Sequence, residues 1–328
     1  SADGRGSGPA SARSDASARY EEVLDAAGTG GDGSGRGEMV RVFYDNQAQL
    51  SPYATSALAQ TWILCQRTAL NVVRNPALGL AHYVVTIVVG LIIGGIYFQV
   101  GDDWPGLQNR AGSVFFIISL LSFGSLSALE LFIAERALFL HERSNGCYRS
   151  SSYFVSKLVC DLIPLRIVPP VILAVIAYYL IGLRAGAEHF VWFAFVLVLV
   201  DINATGMCMA IGAIVPSVAV GNLITVLVML FYMLFGGFLL NKSTVGPLFI
   251  WLKYLSFFNY GYEAALVDQL KGTVINFETS PGVSVLLTGE AVLARLSLNP
   301  ANFDRDILIL IGMGAGHLLL AYLMLRVR

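Results

Sequence analysis

Six long apolar runs decide what this chain can fold into: about 77–98, 111–133, 162–183, 190–215, 223–240 and 307–327. Each has the roughly 18 or more residues that a helix needs to cross bilayer hydrocarbon. No water reaches the backbone there, so every N–H and C=O must be satisfied internally, which leaves helices or a closed barrel. Barrel strands alternate apolar and polar residues over about ten positions; these runs do not alternate and do not stop so soon. The expected fold class is therefore all-α, a polytopic membrane protein with six transmembrane helices. Composition agrees. The chain is 56% hydrophobic and 13% charged, against about 45–50% and about 25% for a soluble domain, and its mean hydropathy is +0.68.

Charge fixes the expected orientation. Arg67, Arg74, Arg136, Arg143, Arg149, Lys157, Arg326 and Arg328 flank the runs on one side, whereas the short loops opposite carry Arg110 and Arg184 beside Asp102, Asp103 and Glu188. Basic loops stay cytoplasmic, so both termini and the Glu135–Lys157 loop are expected there, with the plasma membrane favoured over an internal one. A net charge of −1 gives no reason to expect a nucleic acid partner. Cys65, Cys147, Cys160 and Cys208 fall at cytoplasmic or intramembrane positions, so no structural disulfide is expected, and their spacing matches no zinc site.

Residues 1–53 are a different polymer, rich in Ser, Ala and Gly, and read as a disordered linker. GTGGDGSGRG within it lacks the Lys-Ser/Thr ending of a phosphate loop. From Leu58 onward, Leu58, Trp62, Cys65, Ala69 and Val73 share one face and Gln60, Arg67, Asn71 and Arg74 the other. That pattern predicts an amphipathic helix lying in the inner interface, ended at Asn75-Pro76. Gly90–Gly94 and Gly312–Gly316 have the small-residue spacing of close helix packing. Pro164, Pro169 and Pro170 should bend the third span, and Gly236-Gly237 should loosen the end of the fifth. The outer loop 241–305 begins with an aromatic-rich stretch expected to hug or re-enter the membrane, then forms a small external subdomain. Of two glycosylation sequons, Asn241 lies too near its span for modification and Asn203 is buried within one.

ELFIAERALFLHERSNGCYR gathers Glu135, Arg136, Glu142, Arg143 and Arg149 between two apolar runs. Glu135 and Glu142 are seven apart, as are Arg136 and Arg143, so on a helix they share a face with Phe139 while Ile133, Ala137 and Leu140 take the other. An ionic front over an apolar back suits docking against a soluble partner.

SALELFIAERALFLHERSNGCYRSSSYFVSKLVCDLIP resembles the second span, coupling helix and third-span start of the G subfamily of ATP-binding cassette transporters, half-size members above all. GGFLLNKSTVGPLFIWLKYLSFFNYGYEAALVDQL is similar to the end of the fifth span and the re-entrant segment of that family. The resemblance covers about Ala54–Arg328 and implies an ABC-2 type transmembrane domain over 54–328. It also implies that Glu135, Arg136, Glu142 and Arg143 press on a nucleotide-binding domain, whose closure on ATP opens the membrane cavity outward. No Walker A sequence occurs in the chain. The cassette that binds ATP and Mg is therefore expected upstream of Ser1, after which 1–53 would be the linker, or on a separate chain; no cofactor is expected within this one. A second half-transporter, identical or not, is the other implied partner besides membrane lipids.

On the second span Phe116, Leu120 and Phe123 share a face with Phe115 beside it, and on the fifth Val226, Met229, Leu230 and Met233 do the same. Such stripes also serve ordinary helix packing; the resemblance places both on the substrate cavity between the halves. Aromatic and Met side chains suit flat, greasy ligands of varied shape, and apolar Leu120 and Val226 turn the expectation toward a lipid or sterol rather than a polar xenobiotic. Phe238 and Leu239 match the family's hydrophobic valve. Asp201 is an intramembrane acid, functional or held by Asn203, Thr205 or a neighbouring helix. Glu130 and Arg166 lie at similar depth on joined spans and are expected to form an intramembrane ion pair. The reading is the transmembrane half of an ATP-driven exporter. The alternative is a structural or regulatory membrane protein of the same fold without ATP coupling; the absence of clustered acids, bases or nucleophiles argues against a membrane-embedded enzyme.

Overall fold

The computed structural model describes residues 55–74, 77–101, 103–240, 246, 249–280 and 283–327. The expected linker over 1–53, the Asn75-Pro76 junction and the Asn241 sequon lie outside the described residues. The described helices are α1 (Ala57–Arg74), α2 (Ala77–Ile96), α3 (Trp104–Gly124), α4 (Leu126–Ser144), α5 (Ser150–Leu162), α6 (Val168–Ile181), α7 (Ala187–Ile214), α8 (Val218–Leu234), α9 (Phe257–Leu270), α10 (Gly289–Arg295) and α11 (Phe303–Val327). Five stretches are long and apolar enough to cross a membrane: Gly79–Ile96, Trp104–Ser144, Pro164–Ile181, Ala187–Ile214 and Pro300–Val327. The architecture is that of an all-α polytopic membrane domain.

Three boundaries differ from expectation, each for a local reason. Ser125 keeps helical angles (φ −68°, ψ −9°) between α3 and α4, so the charged segment is the continuation of the second span rather than a separate short helix. The third span begins earlier, as α5, and passes through a π-helical turn at Ile163–Ile167 before α6. Pro164 lacks an amide hydrogen and Pro169 and Pro170 open α6, so the regular i→i−4 ladder cannot run through. The fifth span is Val218–Leu234 rather than 223–240: the Ser217 hydroxyl accepts from the Val220 amide and starts it early, and Gly237 at φ 94° lies just beyond its end. At about 1.5 Å per residue α8 is about 26 Å long, somewhat under the hydrocarbon thickness of about 30 Å.

The buried core centres on α7, which packs against α3, α4, α6, α9 and α11. Gly94 lets α2 lie on α6, since a Cβ there would come 2.5 Å from Leu180 Cδ1, whereas Gly312 and Gly316 face open space within this chain. Helix α1 buries Gln60 and Leu64 and leaves Leu58, Trp62 and Val73 outward, the disposition of an interfacial helix. The aromatic outer stretch becomes α9, buried on every side along its whole length. Beyond it an antiparallel hairpin pairs β1 (Val274–Ser280) with β2 (Val283–Thr288), a small exception to the helical class in the segment expected to form an external subdomain.

Candidate functional site

The charged segment of α4 packs its ionic face inward. Arg136 is buried and donates from Nη1 to the Gly212 and Val215 carbonyl oxygens at 2.5 and 2.7 Å. Gly212 lies in the last turn of α7 and Val215 caps that helix, where helix geometry leaves acceptors without intrahelical donors. A cation also meets the negative end of the helix dipole there. Arg143 donates to the Leu325 and Arg326 carbonyls at the end of α11, at 3.2 and 3.0 Å. Glu135 pairs with the buried Lys157 ammonium of α5 at 2.6 Å. Glu142 accepts from Arg67 of α1 at 2.8 Å and from the Tyr148 hydroxyl at 2.7 Å. Burial first, then the Glu142 carboxylate, pushes the Tyr148 phenol up, so it stays a neutral donor.

These contacts turn Arg136 inward and tie the partly exposed Glu135, Glu142 and Arg143 to neighbouring helices. Arg136 and Phe139 are buried, while Ala134, Ala137, Leu138 and His141 form the outward face. The seven-residue spacing identified a shared face, but its direction was set by exposed helix ends and a buried amine elsewhere in the chain. Lys157, Tyr148 and Arg67 were missed as partners; only their basic or hydrogen-bonding type was visible beforehand.

Within the membrane the expected Glu130–Arg166 pair does not form. Glu130 is exposed and accepts from Asn222 of α8 at 3.0 Å. Arg166 turns the other way: Nη2 donates to Ser127 at 3.0 Å, and Nη1 lies 4.0 Å from Asp201. The two residues leave their helices on different sides. Asp201 is buried and accepts from the Ser125 hydroxyl at 2.6 Å. Asn203 instead donates to the Leu199 and Leu310 carbonyls. Asp201 is thus held by the junction of α3 and α4 and by the π turn.

The cavity stripes divide. Phe116 is exposed and Phe123 partly so, but Phe115 and Met229 are buried in the core. On α8 the outward residues include Leu223, Ile224, Leu227, Leu230, Phe231 and Leu234, with Val226 and Met233 half-covered beside them. An apolar helix has no strong sequence signal for which stripe faces the core, which is why Met229 was misplaced. Phe115 does meet the expected valve: it stacks on Phe238 with centroids 4.8 Å apart, and Tyr262 of α9 meets Phe238 at 6.0 Å. Leu239 stays exposed beside them.

The sequence profile of the ABC-2 type transporter family matches residues 59–270. The chain is 41% identical over 279 residues to ABC transporter G family member 24 of Dictyostelium discoideum, covering 85% of this chain and 24% of that protein. It is 40% identical over 240 residues to the broad substrate specificity ATP-binding cassette transporter ABCG2 of Rattus norvegicus, covering 73% of this chain and 36% of the relative. The counterpart from Bos taurus is 37% identical over 284 residues, 83% of this chain and 43% of its own. The chain thus spans less than half the length of these relatives. A polytopic helical fold and a profile match over most of its length place this chain in the ABC-2 type transporter family, among relatives of the G family.

Proposed function

We propose that this chain is the transmembrane half of an ATP-driven exporter for hydrophobic or amphipathic molecules (lipid, sterol or xenobiotic), driven by a nucleotide-binding domain not contained in it. That domain would hold ATP and Mg. The observation that carries the reading is the near-continuous helical run Trp104–Ser144. Its middle presents Phe116 and Phe123, and its end is bonded to α1, α5 and the ends of α7 and α11. A push on that end would therefore move the membrane helices together. The outward Ala134, Ala137, Leu138 and His141 offer the cassette its contact, rather than the inward charges. Phe116 with Leu223, Leu227 and Leu230 forms one wall of a cavity completed by a second half-transporter, identical or not. Phe238 and Leu239 close it on the outer side. The basic flanks support cytoplasmic termini, and the membrane of residence in this reading is the plasma membrane.

The test is transport by the full-length gene product in proteoliposomes. Export of a fluorescent lipid analogue should require ATP and stop with vanadate, and Leu138→Glu should lower substrate-stimulated ATP hydrolysis with assembly intact. Equal movement with and without ATP would favour the fold without ATP coupling.

A further inference from the structure

Helices α1 and α5 pack side by side, and their register sets two thiols opposite each other. The Ser152 hydroxyl donates to the Ala57 carbonyl oxygen at 3.2 Å. About two turns further along both helices, the Cys160 thiol donates to the Cys65 carbonyl oxygen at 3.5 Å. Both pairs are 95 residues apart in the chain, so the helices run in the same direction and advance together. The reverse contact agrees. Cys65 Sγ lies 3.9 Å from the Ser156 carbonyl oxygen, which in regular helix geometry is the acceptor for the Cys160 amide. Each sulfur therefore points at the other cysteine's own turn.

The spacing suits a bond between them. Packed helix axes lie about 8–10 Å apart and Cα atoms stand about 2.3 Å from each axis, which leaves directly facing Cα atoms roughly 3.5–5.5 Å apart. A disulfide spans about 4.4–6.8 Å between Cα atoms, so closing one asks for side-chain rotation rather than helix movement. Both residues are half-buried, which leaves a small oxidant access. Among the described residues no third His, Cys, Asp or Glu joins them in a metal-holding group, and a structural zinc takes four ligands. Oxidation to each other is the chemistry that two facing thiols can perform.

We infer that Cys65 and Cys160 form a reversible modification site, at which hydrogen peroxide oxidises the pair to a disulfide that pins α1 to α5. One sulfur, as thiolate, attacks a peroxide oxygen; the O–O bond breaks, leaving a sulfenic acid and one water. The second sulfur attacks the sulfenic sulfur, the S–S bond forms, and the S–O bond breaks to release a second water. Two electrons pass from the thiols to the peroxide, and both thiol protons end in water. A cellular dithiol reverses the step by exchange. Reversibility rests on the cytoplasmic orientation in the proposed function, since thiols are kept reduced there. Arg67 of α1 is bonded to Glu142 near the end of α4, so the closed pair would hold the end of the second span to the start of the third.

The experiment takes the full-length gene product in membrane vesicles without nucleotide, adds hydrogen peroxide, blocks the remaining thiols with N-ethylmaleimide and maps linked peptides by mass spectrometry without reductant. A peptide joining Cys65 to Cys160 is expected, lost on adding dithiothreitol, absent in Cys160→Ser and kept in Cys147→Ser. It should form about tenfold faster in the folded protein than after unfolding in SDS, because the fold supplies the proximity. Cells whose thiols are quenched before lysis should yield the pair reduced, and linked once peroxide has been given. Equal rates in folded and unfolded protein, both cysteines alkylated singly after peroxide, or a link already complete in unstressed cells would each overturn the inference. Since neither ATP nor substrate is present, failure here leaves the exporter reading standing, and failure of ATP-driven export leaves the thiol pair standing.

Discussion

Replacing Arg136 with methionine separates an internal clamp from a docking charge. Methionine keeps much of the length and apolar stem of the side chain but none of its donors. The guanidinium makes two short bonds to α7 carbonyls, to Gly212 at 2.5 Å and Val215 at 2.7 Å. Hydrogen bonds involving a charged group contribute about 1.5–3 kcal/mol each. The lost attraction to the α7 dipole is included in those figures, so Arg136→Met should cost about 3–6 kcal/mol. Against a domain stability of about 5–15 kcal/mol that is a large fraction, and the variant should unfold markedly earlier. Arg136→Lys keeps the charge but not the fork and should lose about half as much. The assay is equilibrium unfolding in mixed micelles, followed by tryptophan fluorescence and circular dichroism. If Arg136→Met unfolds within about 1 kcal/mol of the parent, as surface changes do within about ±0.5, the clamp is wrong and the outward, docking orientation returns.

Three further outcomes are expected. A double-mutant cycle between Arg166→Gln and Asp201→Asn should show coupling of about 0.5–3 kcal/mol, while the cycle between Arg166→Gln and Glu130→Gln should be additive within about 0.5; the reverse pattern would reinstate the Glu130 pair. Phe238→Ala gives up contacts with Phe115 and Tyr262, at about 0.5–1.5 kcal/mol each, for a loss of about 1–3 kcal/mol and a leak through the outer end, read as dye efflux from proteoliposomes; Leu239→Ala should lose less. Burial raises the Asp268 carboxyl against the opposing hydrogen bond from His189. Its native form therefore binds a proton more readily than the unfolded chain, and its contribution to stability rises as pH falls from neutral toward the ordinary carboxylate range; Asp268→Asn should flatten that slope in melting midpoints, and an unchanged slope would refute it.

How much of this was legible in the sequence depends on the range of the interaction. Apolar run length alone identified helices across a membrane, because hydrocarbon leaves the backbone no other partner. The amphipathic α1, the disrupted helix around Pro164 and the end of α8 near Gly237 followed from local chemistry. The orientation of charge did not. Periodicity placed Glu135, Arg136, Glu142 and Arg143 on one side of α4, but a helix does not carry the address of its acceptors. Arg136 turns inward because α7 ends with free carbonyls beside it, 76 and 79 residues later in the chain. The same holds in the membrane. Depth could be counted for Glu130 and Arg166, yet depth is one coordinate; the packing of the π turn against α7 supplied the other and gave Arg166 to Asp201. Met229 fell inside and Leu227 outside for a related reason, since an almost wholly apolar helix offers the core several equivalent faces and only the neighbouring helices choose among them.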